Sequence, residues 1–306
     1  MAKNRDLLSI GHSALDYIIR VPEFPKANFS APINDMKTFN GGAAANVALV
    51  GANLGLKTSL VSAVGGDFKK SNYYEIMESL DVDTDSLIIV PGETSPTAFV
   101  LTDENDDQIS YFYWGAAKEF ASSKVPKNAI SNVQAVHLAT GDPHFNWKCS
   151  EEAKRQELLV SFDPGQDLGM YDTDKLRDVI TNTTILFGNH YEIERILESL
   201  EVDLDGLREI GPKIIVKTCG ANGSEIYSNN DKIKVDAIVR EAVDPTGAGD
   251  SYRAGFLSRF LNGESLEQSA KFASSVSSFI VEEQGCQTNM PTFDDAFDLS
   301  LIHISE

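Results

Sequence analysis

The residues best suited to chemistry lie in Asp244-Pro-Thr-Gly-Ala-Gly-Asp250, followed by Ser251-Tyr-Arg-Ala-Gly-Phe-Leu257. Gly247, Ala248 and Gly249 leave the backbone bare just before a run in which Tyr252, Phe256, Leu257, Phe260 and Leu261 recur at helical spacing. A helix N-terminus presents unpaired N–H groups and a partial positive charge. A glycine-rich entry lets a phosphate approach them closely. Asp250 falls in the first turn of this helix, where its carboxylate would repel a bound phosphate. It has a use there if it accepts the proton of a hydroxyl that attacks the phosphorus. The competing use is a simple helix cap.

Other polar groups stand at the ends of strand-like runs. Asp16 follows Gly11-His-Ser13, and its carboxylate can accept two hydrogen bonds from a vicinal diol, or cap its own turn. Gly41-Gly42 with Asn46 places flexible backbone at a helix start and an amide one turn further on. That arrangement suits a polar ligand, a hinge or an ordinary packing helix. Asn189 and Glu192 share one helix face at i,i+3 spacing. Two oxygen donors there suit Mg²⁺; the same pair also makes a capping box. Lys217-Thr-Cys-Gly220 and Gly223 end a strand in a turn where Thr218 and bare backbone can meet a nucleotide. Ile109-Ser-Tyr-Phe-Tyr-Trp114 carries four aromatics, two of which face inward if it is a strand. Aromatic faces stack nucleobases or sugar rings, or pack a lid or a dimer contact.

The elements that must position these groups alternate. Strands are expected at Leu7–Ile10, Tyr17–Val21, Thr58–Val64, Ala135–Leu138, Leu158–Asp163, Thr184–Phe187 and Ile214–Thr218. Helices fit at Ala43–Leu54, Tyr73–Leu80, Ser150–Gln156, Asp174–Ile180, Glu192–Leu200, Leu204–Ile210, Asp250–Asn262 and Leu266–Glu282. Such alternation predicts an α/β fold with a mostly parallel sheet and ligands at the carboxyl ends of its strands. Ser86–Val90, Thr97–Thr102 and Ile109–Trp114 read as a small antiparallel patch, and Glu225–Ser228 with Lys232–Val235 as a hairpin. Residues 300–306 show neither caps nor period and are set apart as a frayed or non-native tail.

The chain has 306 residues, near the upper limit for one hydrophobic core. Its formal charge of −20 argues against nucleic acid or an anionic membrane surface as partner. Cys149, Cys219 and Cys286 are far apart and have no metal-site spacing, which predicts reduced thiols in a cytoplasmic protein. No signal-like run opens the chain, and no apolar run approaches the ~18 residues of a membrane span. His137 and His144 are expected to be structural or loop residues rather than ligands.

Phe39-Asn-Gly-Gly-Ala-Ala-Ala-Asn46 and Asp244-Pro-Thr-Gly-Ala-Gly-Asp250-Ser-Tyr-Arg-Ala-Gly-Phe-Leu257 together resemble the signatures of the ribokinase-like (PfkB) carbohydrate and nucleoside kinases. The aromatic run and Tyr252-Arg253 look most like the archaeal nucleoside kinases of that family. The resemblance implies a three-layer α/β/α core, residues 1–15, 41–93 and 116–299, and a small β-sheet lid, residues 16–40 and 94–115. It makes Asp250 the general base and Gly247, Ala248 and Gly249 the anion hole for the γ-phosphate of ATP. Asn189 and Glu192 would organise Mg²⁺ through water. Lys217, Thr218, Gly220, Gly223 and Gly285 would border ATP. Asp16, Gly42 and Asn46, with Phe112 and Trp114, would hold the acceptor. Asp244, Thr246, Glu283, Gly285 and Asn289 match a K⁺ position. The implied reaction is phosphorylation of a nucleoside at its 5′-hydroxyl. A free sugar such as ribose or fructose is the alternative, then a fructose phosphate, for which Leu101–Gln108 offers no basic residue. A catalytically silent ligand sensor on the same fold is the alternative from another class. The resemblance also implies a homodimer through the lid. Arg253, one turn after Asp250, is expected to hold that carboxylate, touch a phosphate or make a surface ion pair.

Overall fold

The structure, a computed structural model, describes residues 4–302 apart from 106, 229 and 230. The first third of the chain supplies β1 (Arg5–Ile10), β2 (Ala14–Arg20), β3 (Asp35–Gly41), α1 (Ala43–Asn53), β4 (Thr58–Val61), β5 (Ala63–Gly65) and α2 (Asn72–Ser79). Then come β6 (Ile88–Val90), β7 (Thr97–Thr102), β8 (Gln108–Tyr113), α3 (Lys127–Ser131), β9 (Val133–Leu138) and α4 (Pro143–Arg155). The alternation continues through β10 (Leu159–Phe162), α5 (Thr173–Asn182), β11 (Ile185–Asn189), α6 (His190–Leu200), α7 (Leu204–Ile210) and β12 (Ile214–Thr218). The chain ends with β13 (Ser224–Ser228), β14 (Asp231–Val235), α8 (Ala248–Phe260), α9 (Leu266–Ile280) and α10 (Phe293–Ile302).

The main sheet has the order β14-β13-β12-β11-β10-β9-β1-β4. It is parallel from β12 to β4, and only β13 runs against its neighbours, β12 and β14. Alternate residues of each strand feed opposite faces. Leu8, Val136, Val160, Leu186 and Ile215 pack under α4–α7. Their neighbours Leu7, Ala135, Ile185, Ile214 and Val216 pack under α1, α8, α9 and α10. Both faces are therefore covered, which explains why these strands read as apolar runs.

A second sheet, β3-β2-β7-β8, stands apart from the first. The sequence suggests an antiparallel patch, but β2 runs parallel to β7 while the outer pairs are antiparallel. That pairing joins segments about eighty residues apart, beyond the reach of local turn signals. In register, Asp16 lies opposite Phe39 and Ala98, and Ala98 opposite Phe112, so these share one face. Tyr17, Phe99 and Tyr111 occupy the other.

Three further expectations are corrected. Thr58–Val64 is not one strand: it breaks at Ser62, whose carbonyl accepts from the Ile88 N–H at 2.9 Å and whose Oγ accepts from the Ser13 N–H at 2.8 Å. These bonds turn β5 away from the main sheet onto β6, so β6 belongs to neither larger sheet. Helix α4 starts at Pro143 rather than Ser150, because Asp142 caps it by accepting from the Phe145 N–H and Pro143 suits a first turn. Residues 300–302 continue α10, and Ser300 is buried; residues 303–306 lie outside the described residues.

Phe256 of α8 is fully buried, with its ring edge-on to Phe187 of β11 at 5.4 Å. Phe256→Ala should cost about 3–5 kcal/mol of stability in urea unfolding, since neither sheet nor helix can close over the cavity.

Candidate active site

The site forms where the carboxyl ends of β1, β9 and β10 meet the start of α8. Gly247 is the N-cap of α8 with φ 79°, and no side chain caps the helix. The left-handed backbone and the neighbouring Cys286 both demand glycine: an added Cβ would sit 2.2 Å from the Cys286 Cβ. The Ala248 N–H bonds to the Pro245 carbonyl at 3.1 Å. With the helix dipole, this uncapped turn is suited to an anion.

Asp250 lies in that first turn, largely buried. The Asn46 side-chain amide, from α1, donates to its Oδ2 at 2.8 Å. Arg253 Nη1 donates to its Oδ1 at 3.1 Å. The guanidinium also pairs through Nε and Nη2 with Asp163, just beyond β10. Burial raises the Asp250 pKa, Arg253 and the Asn46 bond oppose the rise, and Asp163 adds to it. Asp163 is pushed up to about 6, first by burial, against the pull of Arg253 and with a further push from Glu192. Of the roles open to Arg253, the structure shows it gripping the Asp250 carboxylate.

Asn46 is itself held. Gln287 Nε2 donates to the Asn46 Oδ1 at 2.9 Å and to the Tyr73 hydroxyl at 2.8 Å, and that hydroxyl donates to the Gly41 carbonyl at 2.7 Å. The amide therefore turns its NH₂ to Asp250. Gln287 and Tyr73 escaped the sequence analysis because no local pattern marks them.

Asp16 rests on Gly41, where a Cβ would meet its Oδ2 at 2.0 Å. Burial, then the charges of Asp250 and Asp244, push the Asp16 carboxyl up to about 7. Gly42, φ 93°, begins α1 without a side-chain cap. Phe112 and Trp114 both pack on the buried His12 ring, at 5.2 Å each, and His12 Nε2 bonds to Asp167 at 3.2 Å. In the sequence His12 is only the middle residue of Gly11-His-Ser13; its place becomes visible once Phe112 of β8 packs on it. Asp16, Gly42, Asn46, Phe112 and Trp114 thus converge on the side of Asp250.

The other expected residues gather around α8 and β12. Asn189 and Glu192 form a capping box: Asn189 Oδ1 accepts from the Glu192 N–H at 2.9 Å, and Glu192 Oε2 from the Asn189 N–H at 2.7 Å. Among the described residues, no three His, Cys, Asp or Glu side chains form a metal cage. One carboxylate and an amide, beside the Asp163–Arg253 pair whose field Glu192 shares, fit an Mg²⁺ that keeps its waters and binds mainly to phosphates. Thr218 ends β12, and Gly220 and Gly223 shape the turn into β13. Lys217 Nζ pairs with Glu225 at 2.7 Å, on the adjacent antiparallel strand. Asp244 accepts from the Thr246 N–H at 2.9 Å and the Gly285 N–H at 3.0 Å, tying the two loops together. Asn289 donates to the Phe279 carbonyl, and Glu283 is exposed. Gly285 lies under the Phe39 ring of β3, and Lys37 Nζ donates to the Gln284 Oε1 at 2.8 Å. His137 is structural, buried against Ser161, with burial pushing its pKa down to about 3.

A doubly covered parallel sheet, an uncapped glycine-rich helix start and a carboxylate inside its first turn define a phosphotransferase of the ribokinase fold. The pfkB family carbohydrate kinase model matches residues 4–293, and the chain belongs to that family. A nucleoside kinase of Methanothermobacter thermautotrophicus is 57% identical over 296 residues, 97% of this chain and 96% of its own. The crystal structure of Methanocaldococcus jannaschii nucleoside kinase superposes with TM-score 0.94 at 41% identity, over 99% of this chain and 100% of that one. A Burkholderia thailandensis nucleoside kinase in complex with inosine shares the fold, with TM-score 0.87 at 23% identity over 98% and 99% of the chains. No helix of the described residues is long and apolar enough to cross a membrane.

The raised Asp16 carboxyl makes a stability prediction. Its folded pKa, about 7, exceeds the ordinary 3.8, so between those values the folded protein holds a proton that the unfolded chain releases. Stability must then fall as pH rises through that window. Asp16→Asn removes the effect. Its melting temperature should decline less than that of the parent as pH rises to just above 7, read by thermal unfolding at a series of pH values.

Proposed function

We infer that this protein is a nucleoside kinase that transfers the γ-phosphate of ATP to the 5′-hydroxyl of a nucleoside. The observation that carries the reading is Asp250 at the uncapped start of α8, with its carboxylate oriented by Asn46 and Arg253. Family membership and the nucleoside kinases it resembles support it.

In this reading Asp16, Gly42 and Asn46 hold the ribose hydroxyls, and Phe112 and Trp114 form the aromatic wall for the base. Asp250 takes the proton of the 5′-hydroxyl as it attacks. The backbone N–H groups at Gly247–Asp250 receive charge on the moving phosphoryl group, which needs positioning and neutralisation more than covalent help. ATP lies along Thr218, Gly220, Gly223 and Gly285. Mg²⁺, when bound with ATP, supplies further neutralisation, and Asn189 and Glu192 are the residues that would hold it through water. The loops joined by Asp244, with Thr246, Glu283, Gly285 and Asn289, are the place for K⁺. The four-stranded sheet acts as a lid over the acceptor. Its outer face exposes Met36, Phe99, Tyr111 and Tyr113, and a second copy of the chain covers that face in a homodimer.

Three experiments test this. With ATP and Mg²⁺, nucleosides should be phosphorylated in preference to free ribose or fructose; better turnover of free sugars would move the assignment to a sugar kinase. Asp250→Asn should lower kcat by about 10²–10⁴-fold while nucleoside affinity stays within a few-fold. Light scattering should give the mass of two chains, and Tyr111→Lys should shift it towards one.

A further inference from the structure

We propose that Asp163 is a positioning residue for phosphoryl transfer, which divides the Arg253 guanidinium so that Asp250 receives only one of its edges. The proposal rests on Asp250 being the general base. The guanidinium presents a fork able to bind one carboxylate at two points. Here the Nε and Nη2 edge belongs to Asp163, and only Nη1 reaches Asp250, at 3.1 Å. Asp163 is 3% exposed and Arg253 12%, so neither charge is diluted by water. Asp163 is fixed in turn by the Gly165 N–H, which donates to its Oδ1 at 2.8 Å.

The division answers two opposed demands. A buried carboxylate with no cation beside it takes up a proton and cannot act as a base. A carboxylate held at two points by an arginine stays ionised but is a poor base, because the pair favours the charged form. Sharing Arg253 between two acids leaves Asp250 ionised and still basic. The known pulls on Asp250 have these signs: Arg253 and Asn46 lower its pKa, Asp163 raises it. The other titratable groups around it are Asp16 of β2, Tyr73 of α2 and Cys286 of the loop after α9, which share its field, and Glu192 of α6, which acts on Asp163 and Arg253. None of these touches the guanidinium fork in the way Asp163 does.

The test is the single-turnover rate of phosphoryl transfer against pH, at saturating nucleoside and Mg-ATP. Asp163→Asn should release Arg253 to Asp250, move the acidic limb of the profile down by about one unit and lower the plateau rate by about tenfold. Arg253→Met should move the same limb upward. The Asp163→Asn/Arg253→Met double variant removes both members of the Asp163–Arg253 pair together, so neither of these two is left buried and unpaired, and it keeps the proposal open to test if Asp163→Asn fails to fold; its limb should lie between those of the single variants. A limb that stays put in Asp163→Asn and in the double variant, or that moves the same way in both single variants, overturns the proposal and leaves Asp163 a structural ion pair. An Asp250→Asn variant with the parent's rate would instead overturn the assignment of the base.

Discussion

The structure depends on keeping one carboxylate charged where water is scarce. Asp250 is excluded from most solvent, which favours its protonated form, and it faces a helix end that attracts anions. An arginine from its own helix and an amide from α1 compensate. Much of the surrounding architecture keeps those two groups aimed. Gln287 and Tyr73 orient the amide, and Asp163 at the end of β10 orients the guanidinium. The doubly covered sheet gives these supports rigid anchors, because each strand end is fixed by packing on both faces.

This arrangement explains why the site needs residues so distant in sequence. The helix start supplies the anion-binding backbone in one continuous stretch. Its control groups come from positions 46, 73, 163 and 287, carried there by α1, α2, β10 and the loop after α9. Asp16 adds a third raised carboxyl, after Asp250 and Asp163, from a different sheet, and its shift owes part of its size to Asp250. The Asp16 and Asp250 carboxyls therefore lie within one electrostatic field.

The sequence makes the contiguous parts legible. Gly247 to Asp250 reads as an anion-binding helix start because its logic is local, and the α/β alternation is written in apolar periodicity. Strand alternation says only that two of the aromatics at 111–114 face inward; that Phe112 and Trp114 are the pair on His12 is seen only in the structure. What could not be read is non-local: the parallel pairing of β2 with β7, the break at Ser62, and the roles of Gln287, Tyr73, His12 and Asp163. The pairing of Lys217 with Glu225 was equally hidden, because a lysine at a strand end suits a phosphate as well as it suits a carboxylate on the next strand. Asn189 and Glu192 were ambiguous for a physical reason, since the spacing that makes a capping box also brings two oxygen donors together.

The contact of β3 with the loop after α9 has a consequence for the order of events. Phe39 lies on Gly285 and Lys37 bonds to Gln284, so the sheet beside the acceptor is fastened to the segment that meets Asp244. A shift of that sheet would therefore pull on the loop after α9 as well. By thermodynamic reciprocity, whatever preference one substrate imposes on this shared hinge, the other returns in equal measure. Ligands bound on either side of this contact would be coupled through it.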